Sequence, residues 1–349
     1  MAQRKGMTDI KKKSEADKII SDEKSRYEIK KADLDKQEEA TQSALSRLGK
    51  KELDIGESFY EFQTLASSLI DQLNEGKKNK IEINIPKHQI DKIEGYQESV
   101  MGILGTVTGA GATAAAAGFA VYGGVMALGA ASTGTAISAL SGVAATNATL
   151  AALGGGSLAT GGLGIAGGTA VLGAAVAAPI LAIAGWAYDN HGEKSLDKAH
   201  QTKTEIAQAL KKIEAAQKLL RNTENYAHKI LRSLSKIHRQ FNKHFFKLQD
   251  IDKYLRDIKG RSIDEAAELQ KHGDVITSTI EIGYTLAAIL TDIITTPIFK
   301  IETINGEVQL DENGAPKIKR DSQGVMILNE SALDSALSKA ATDAEKYTE

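Results

Sequence analysis

Apolar residues step by three and four through Leu45, Leu48, Ile55, Phe59, Phe62, Ala66, Leu69 and Leu73, and only Glu52 interrupts the series. That period puts them on one stripe of a helix, so residues 8–79 predict one or two long helices with a seam for a packed or coiled partner. Upstream, Ile20, Tyr27 and Leu34 carry the register more sparsely between charges. Gly76-Lys77-Lys78-Asn79 predicts where the helix stops. A second stripe, from Ile206, Leu210, Ile213 and Leu220 through Ala227, Ile230, Leu234, Ile237, Phe241, Leu248, Ile251 and Leu255 to Ile258, predicts a second arm over 194–259. Ser262 followed by Glu265 reads as a capping box for a further helix over roughly 263–296. Its apolar run Ile280–Ile294 contains Glu281 and Asp292, so a core helix is expected rather than one in lipid.

Two stretches change period. Ile81, Ile83 and Ile85 alternate with polar residues, which predicts a strand over Lys80–Pro86. Turn signals at Asn305-Gly306, Asn313-Gly314 and Gln323-Gly324 separate short alternating segments, so 298–329 predicts a small β-meander. The two β pieces could pair into one small sheet. A last helix is expected over about 330–347.

Charge divides the chain more sharply than periodicity does. From Ser99 to Tyr188 there are 90 residues without one Asp, Glu, Lys or Arg, and this block holds 20 of the 32 glycines and 27 alanines. All 88 charges fall on the other 259 residues, so a net charge of −2 and a mean hydropathy of −0.23 average two different materials. The expected organisation is an N-terminal charged arm (1–98), an apolar glycine-rich region (99–188), a C-terminal arm with a core helix (189–297), and the meander with its terminal helix (298–349). In class the chain is expected to be mainly α: a long antiparallel or coiled helical bundle with an apolar Gly/Ala-rich helical hairpin and a small C-terminal β-meander.

A bilayer core takes about 20 apolar residues as one helix. Two stretches of the block reach that length, roughly Gly111–Ala131 and Thr169–Tyr188, with a more polar stretch between them. Helices in lipid associate through close backbone approach at small residues. Gly105/Gly109 and Gly164/Gly168 form GxxxG pairs, and Ala120/Gly124 and Ala130/Gly134 are small-xxx-small variants. Trp186 and Tyr188 stand where the block meets charge, as interfacial aromatics do. Pro179 would kink the last span. The candidate insertion and helix-contact residues are thus Gly105, Gly109, Ala120, Gly124, Gly164, Gly168, Pro179, Trp186 and Tyr188. A buried soluble core is the competing expectation, weakened because glycine costs about 1 kcal/mol per residue in an aqueous helix.

Catalytic chemistry finds little to work with. The chain has no cysteine, which excludes disulfides, thiolate metal sites and thiol nucleophiles. Gly162-Leu-Gly164-Ile-Ala-Gly167 matches GxGxxG, but no βαβ pattern surrounds it, and dense glycine produces such matches by chance. The seven histidines form no HExxH and no i, i+4 pair, and solvated helix faces are expected for them. Carboxylate pairs such as Asp33/Asp35 and Glu38/Glu39 are expected to be exposed charge. No phosphate loop or serine elbow is present. Near-neutral charge argues against nucleic acid. No enzyme activity, cofactor or small-molecule substrate is expected.

The order of a long charged helix, a charge-free small-residue hairpin and a long returning helix, over about residues 10–260, resembles the α-helical pore-forming toxins of bacteria, of the hemolysin BL and cytolysin A type. The stretch from Ala144 through Gly173 also looks like a glycine-rich segment of uncharacterised bacterial helical proteins. The resemblance implies a soluble bundle that covers an apolar element, then releases it to insert and oligomerise. The block here is longer and richer in glycine than the family's, and neither the β-meander nor the missing export signal fits it. Met1–Lys13 runs into charged sequence without the apolar core of a secretory signal. A membrane-associated protein is expected, with a soluble cytoplasmic or released form. Its partners are expected to be a lipid bilayer and either further copies of the chain or a second helical component. The alternative is a non-enzymatic coiled-coil scaffold, anchored in a membrane or binding protein partners.

Overall fold

The apolar stripes fold as helices whose inner faces are the ones the period marks. The computed structural model describes residues 2–75, 80–81, 83–104, 116, 118–121, 192–259, 264–304, 307–309, 316–322 and 325–347. In chain order the elements are α1 (Ala2–Asn74), α2 (Lys87–Leu104), α3 (Gly192–Ile258), α4 (Glu265–Lys271), α5 (Gly273–Ile294), β1 (Thr303–Ile304), β2 (Glu307–Val308) and α6 (Glu330–Glu345). The protein is mainly α, with long helices. Residues 8–74 belong to one continuous helix, and every member of the Leu45–Leu73 stripe is buried.

Two compact units divide the chain. The first comprises 1–43, 150–224 and 320–327. In it Ala16 and Ile20 pack with Ala199, and Tyr27 and Leu34 pack with Ile206, Leu210 and Ile213. Gln37 Nε2 donates to Glu224 Oε2 at 2.7 Å, and Thr41 Oγ1 lies 3.1 Å from the Leu220 carbonyl oxygen. Glu23, buried, takes Arg26 at 2.9 Å and Lys203 at 3.8 Å. Later residues of α1 thus meet later residues of α3. Glu38 departs from expectation: it is 8% exposed, and burial, helped by nearby Asp35, pushes its carboxyl up to about 7. Its neighbour Glu39 is exposed as expected.

The second unit comprises 44–149, 225–319 and 328–349. Here α2 folds back on α1: Gln63 Nε2 donates to Glu94 Oε1 at 2.9 Å, and Val100 lies against Gly56. Again α3 runs with α1, since His238 meets Lys51, and Phe241 and Phe245 meet Phe62. α5 opposes α1, placing Gly273 by Leu73 and Gly283 by Phe62. The result is four helices in up-down-up-down order around the rings of Phe59, Phe62, Phe241 and Tyr284.

Several expectations are corrected. Within the bundle α2 and α5 run antiparallel to α1 as expected, while the α1–α3 seam is parallel in both units. Tight turns enforce antiparallel neighbours, and no tight turn joins these two helices. Lys80–Pro86 forms no strand among its described residues. Asn74 takes the place of a partner strand, accepting from the Ile81 N–H at 2.6 Å and donating to its carbonyl at 3.3 Å, while Ile85 N–H turns back to Ile83 O at 2.9 Å. The helix expected over 263–296 is two helices, broken at His272-Gly273. Its cap is Asp264, whose Oδ1 accepts from the Ala266 and Ala267 N–H groups at 3.0 and 3.1 Å; Ser262 lies outside the described residues.

α5 is the expected core helix, with Ile280, Leu286, Leu290 and Ile293 buried. Its acids find partners at the rim: Glu281 accepts from the Asn84 N–H at 3.2 Å, and Asp292 takes Lys92 at 2.5 Å. Among the described residues no helix is long and apolar enough to cross a membrane. The meander survives in small form. β1 and β2 pair antiparallel, and single bridges join Phe299 to Leu328 and Ile301 to Ile318. In the first unit Arg320 bridges Met326.

Candidate functional site where the bundle meets the charge-free segment

On a helix, Gly49, Glu52 and Gly56 share one face by their spacing of three and four, while Lys51 and Asp54 share another. α1 uses the two faces for different neighbours, all within the second unit. The glycine face receives the start of the charge-free segment and α2. A Cβ at Gly49 would stand 1.7 Å from the Ala116 carbonyl oxygen, and one at Gly56 would stand 2.5 Å from Val100 Cγ2. Only a residue without a side chain permits such backbone contact.

Ala116 is fully buried, and Phe119, Ala120 and Val121 are buried helical residues. Phe119 lies 6.0 Å from the Tyr96 ring, which also packs edge-on to Phe59 at 6.1 Å. The Tyr96 hydroxyl donates to the Glu52 carbonyl oxygen. Burial, with Glu52 and Asp54 close by, holds that phenol well above its ordinary range.

Glu52 is the residue that interrupts the sequence stripe, and it is 3% exposed. Burial raises its carboxyl well above the usual range. A buried carboxyl without a cation prefers its proton, and among the described residues no ion pair reaches it.

The other face of α1 meets α3. Lys51 Nζ lies 2.6 Å from His238 Nδ1 and 2.6 Å from Asp54 Oδ2, and His238 Nδ1 lies 3.7 Å from Asp54 Oδ2. An ammonium only donates, so Nδ1 accepts and the ring proton sits on Nε2. That Nε2 is buried without a hydrogen-bond partner. His238 is 2% exposed and stacks on Phe241 at 5.9 Å, contrary to the solvated face expected for it. Burial first, and Lys51 second, lower its pKa to about 4.

Ala120 alone of the singled-out residues falls among the described ones. Gly105, Gly109, Gly124, Gly164, Gly168, Pro179, Trp186 and Tyr188 lie outside them. Gly49 and His238 are not among the sequence-predicted site residues, and Glu52 figures there only as the break in the apolar stripe. Two glycines in the interior of α1, each costing about 1 kcal/mol of helix propensity, were the available signal.

Chemically the site is a packing junction with five titratable groups, Lys51, Glu52, Asp54, Tyr96 and His238. Among the described residues no cluster of three or more His, Asp or Glu could hold a metal. A separate groove of about 470 Å³ beside Lys92, Asp292 and Lys339 has its charges already paired, with both lysines on Asp292. No protein-family model, curated protein or solved structure matches the chain.

Proposed function

We propose that this is a membrane-active helical protein that inserts its charge-free segment, residues 99–188, into a lipid bilayer and oligomerises there to form a pore. It needs no cofactor and performs no catalysis. The observation that carries the reading is the seat on α1: an apolar stretch from a 90-residue charge-free run lies buried against Gly49 in an otherwise charged helical bundle. Such a run loses little by moving from a protein interior to hydrocarbon, whereas a charged helix would lose several kcal/mol per ion. Ala116, which fits against α1, is also the kind of small residue that lets helices approach one another in lipid. Insertion would therefore exchange contacts with the protein's own arms for contacts with lipid and neighbouring copies.

Flotation with liposomes, run alongside release of an entrapped dye over a range of pH, tests the proposal. Flotation with leakage is expected. A protein that neither floats nor leaks vesicles at any pH overturns it. Flotation without leakage favours the anchored coiled-coil scaffold instead.

A further inference from the structure

We propose that Lys51, His238 and Asp54 form an acid-operated latch on the seat of the charge-free segment. Protonating His238 sets two cations side by side in the α1–α3 seam, loosens α1 there, and frees residues 116 and 118–121 from Gly49. The proposal rests on the membrane reading only for where the freed segment goes next.

The geometry supplies the switch. His238 Nδ1 is the acceptor for Lys51 at 2.6 Å. A proton arriving from solvent must bind Nδ1, because Nε2 already carries one. The bond to Lys51 is then lost, and two donors of like charge face each other at contact distance. The charged groups facing the ring from α1 are Lys51 and Asp54; Phe241 stacks on it from its own helix. The titratable group of this layer on α2 is Tyr96, held neutral by burial, and the Glu52 carboxyl favours its neutral form. Asp54 is the one anion these contacts supply. It is 57% exposed and already engaged by Lys51 at 2.6 Å, so it offsets little of the repulsion.

The sign follows from the depressed pKa. With a native value of about 4 against 6.5 in the open chain, the unfolded or opened state binds more protons between those limits. The closed seat is therefore favoured above 6.5 and loses ground as pH falls towards 4, by up to about tenfold in its equilibrium per pH unit. The latch and the seat share the same two turns of α1. Lys51 and Asp54 grip α3 while Gly49 and Glu52, interleaved with them, hold Ala116 and Tyr96.

The absence of native cysteine provides the test. In the full-length chain without lipid, Ala120→Cys reports exposure of the buried segment and Ser67→Cys serves as the exposed reference. Their maleimide labelling rates are compared as a ratio from pH 7.5 to 4, with ellipticity recorded in parallel. The ratio is expected to rise at least tenfold on acidification before helical signal is lost, and to stay flat when His238→Gln is added. Glutamine still accepts from Lys51 but takes no proton. If His238→Gln does not fold, Lys51→Met replaces it; removing the second cation is expected to flatten the rise. A ratio that never changes, one that rises equally in the variants, or one that rises only together with loss of ellipticity overturns the latch. Because no lipid is present, failure here is distinct from failure of membrane insertion.

Discussion

A β-carbon built on Gly49 would lie 1.7 Å from the carbonyl oxygen of Ala116, so the backbones of α1 and the charge-free segment meet with nothing between them. Gly49→Ala adds helix propensity worth about 1 kcal/mol, but overpacking a filled contact costs about 1–3 kcal/mol. No flexible side chain is available to yield here, so the upper part of that cost applies. The variant is expected to lose about 1–2 kcal/mol net in urea denaturation and to be cut faster by protease near residues 116–121. Unchanged stability and unchanged cleavage would remove the seat.

Phe241 is the ring about which the second unit packs. Its centroid lies 5.2 Å from Phe59, 5.1 Å from Phe62 and 6.2 Å from Phe245. Phe241→Ala is expected to cost about 3–5 kcal/mol. Phe246, next along the helix and 56% exposed, is the control. Its replacement by alanine should stay within about 0.5 kcal/mol, as measured by thermal or urea unfolding.

Two buried carboxyls give stability the opposite pH dependence from that of His238. Glu38 has a native value of about 7 against 4.5 unfolded, so the native state binds more protons in that window. Its contribution is therefore complete below 4.5 and is lost as pH rises through 7, at up to about 1.4 kcal/mol per unit. Glu52 acts in the same direction. Glu38→Gln should flatten the decline of the urea midpoint between pH 4.5 and 7. A slope identical to the parent's would show that Glu38 titrates normally.

The glycine pairs outside the described residues are tested by bulk. Replacing Gly105, Gly109, Gly164 and Gly168 with leucine leaves the segment apolar but holds helices apart. Oligomers recovered from liposomes by crosslinking are expected to fall several-fold while flotation persists. Unchanged oligomers would show that the contacts lie elsewhere.

Periodicity located the helices because burial is what it records. Leu45 to Leu73 on α1 and Ile206 to Ile258 on α3 turn the predicted faces inward. It carries no information on polarity, so the parallel course of α1 and α3 was not legible. Ile81, Ile83 and Ile85 have a strand's alternation, but a strand also needs a neighbour, and the Asn74 amide supplies only one residue's worth of pairing. The site was visible in pieces. Glu52 stood out as the break in a stripe, yet a break is read as exposure unless Gly49 and Gly56 beside it are seen to form a groove. His238 left no mark, since its burial depends on where α3 lies along α1 rather than on its own neighbours in sequence.

The parallel course of α3 has a mechanical consequence. In the second unit α2 runs against α1 and α3 runs with it, so within that unit the C-terminal end of α2 and the N-terminal side of α3 point the same way. A pull along the α1 axis on either helix in this unit loads its seam with α1 in shear rather than peeling it open. Shear breaks many side-chain contacts at once where peeling breaks them singly, so the bundle resists traction far better than it resists local loosening. A segment drawn outward would slip from its seat long before the helices that anchor it came apart.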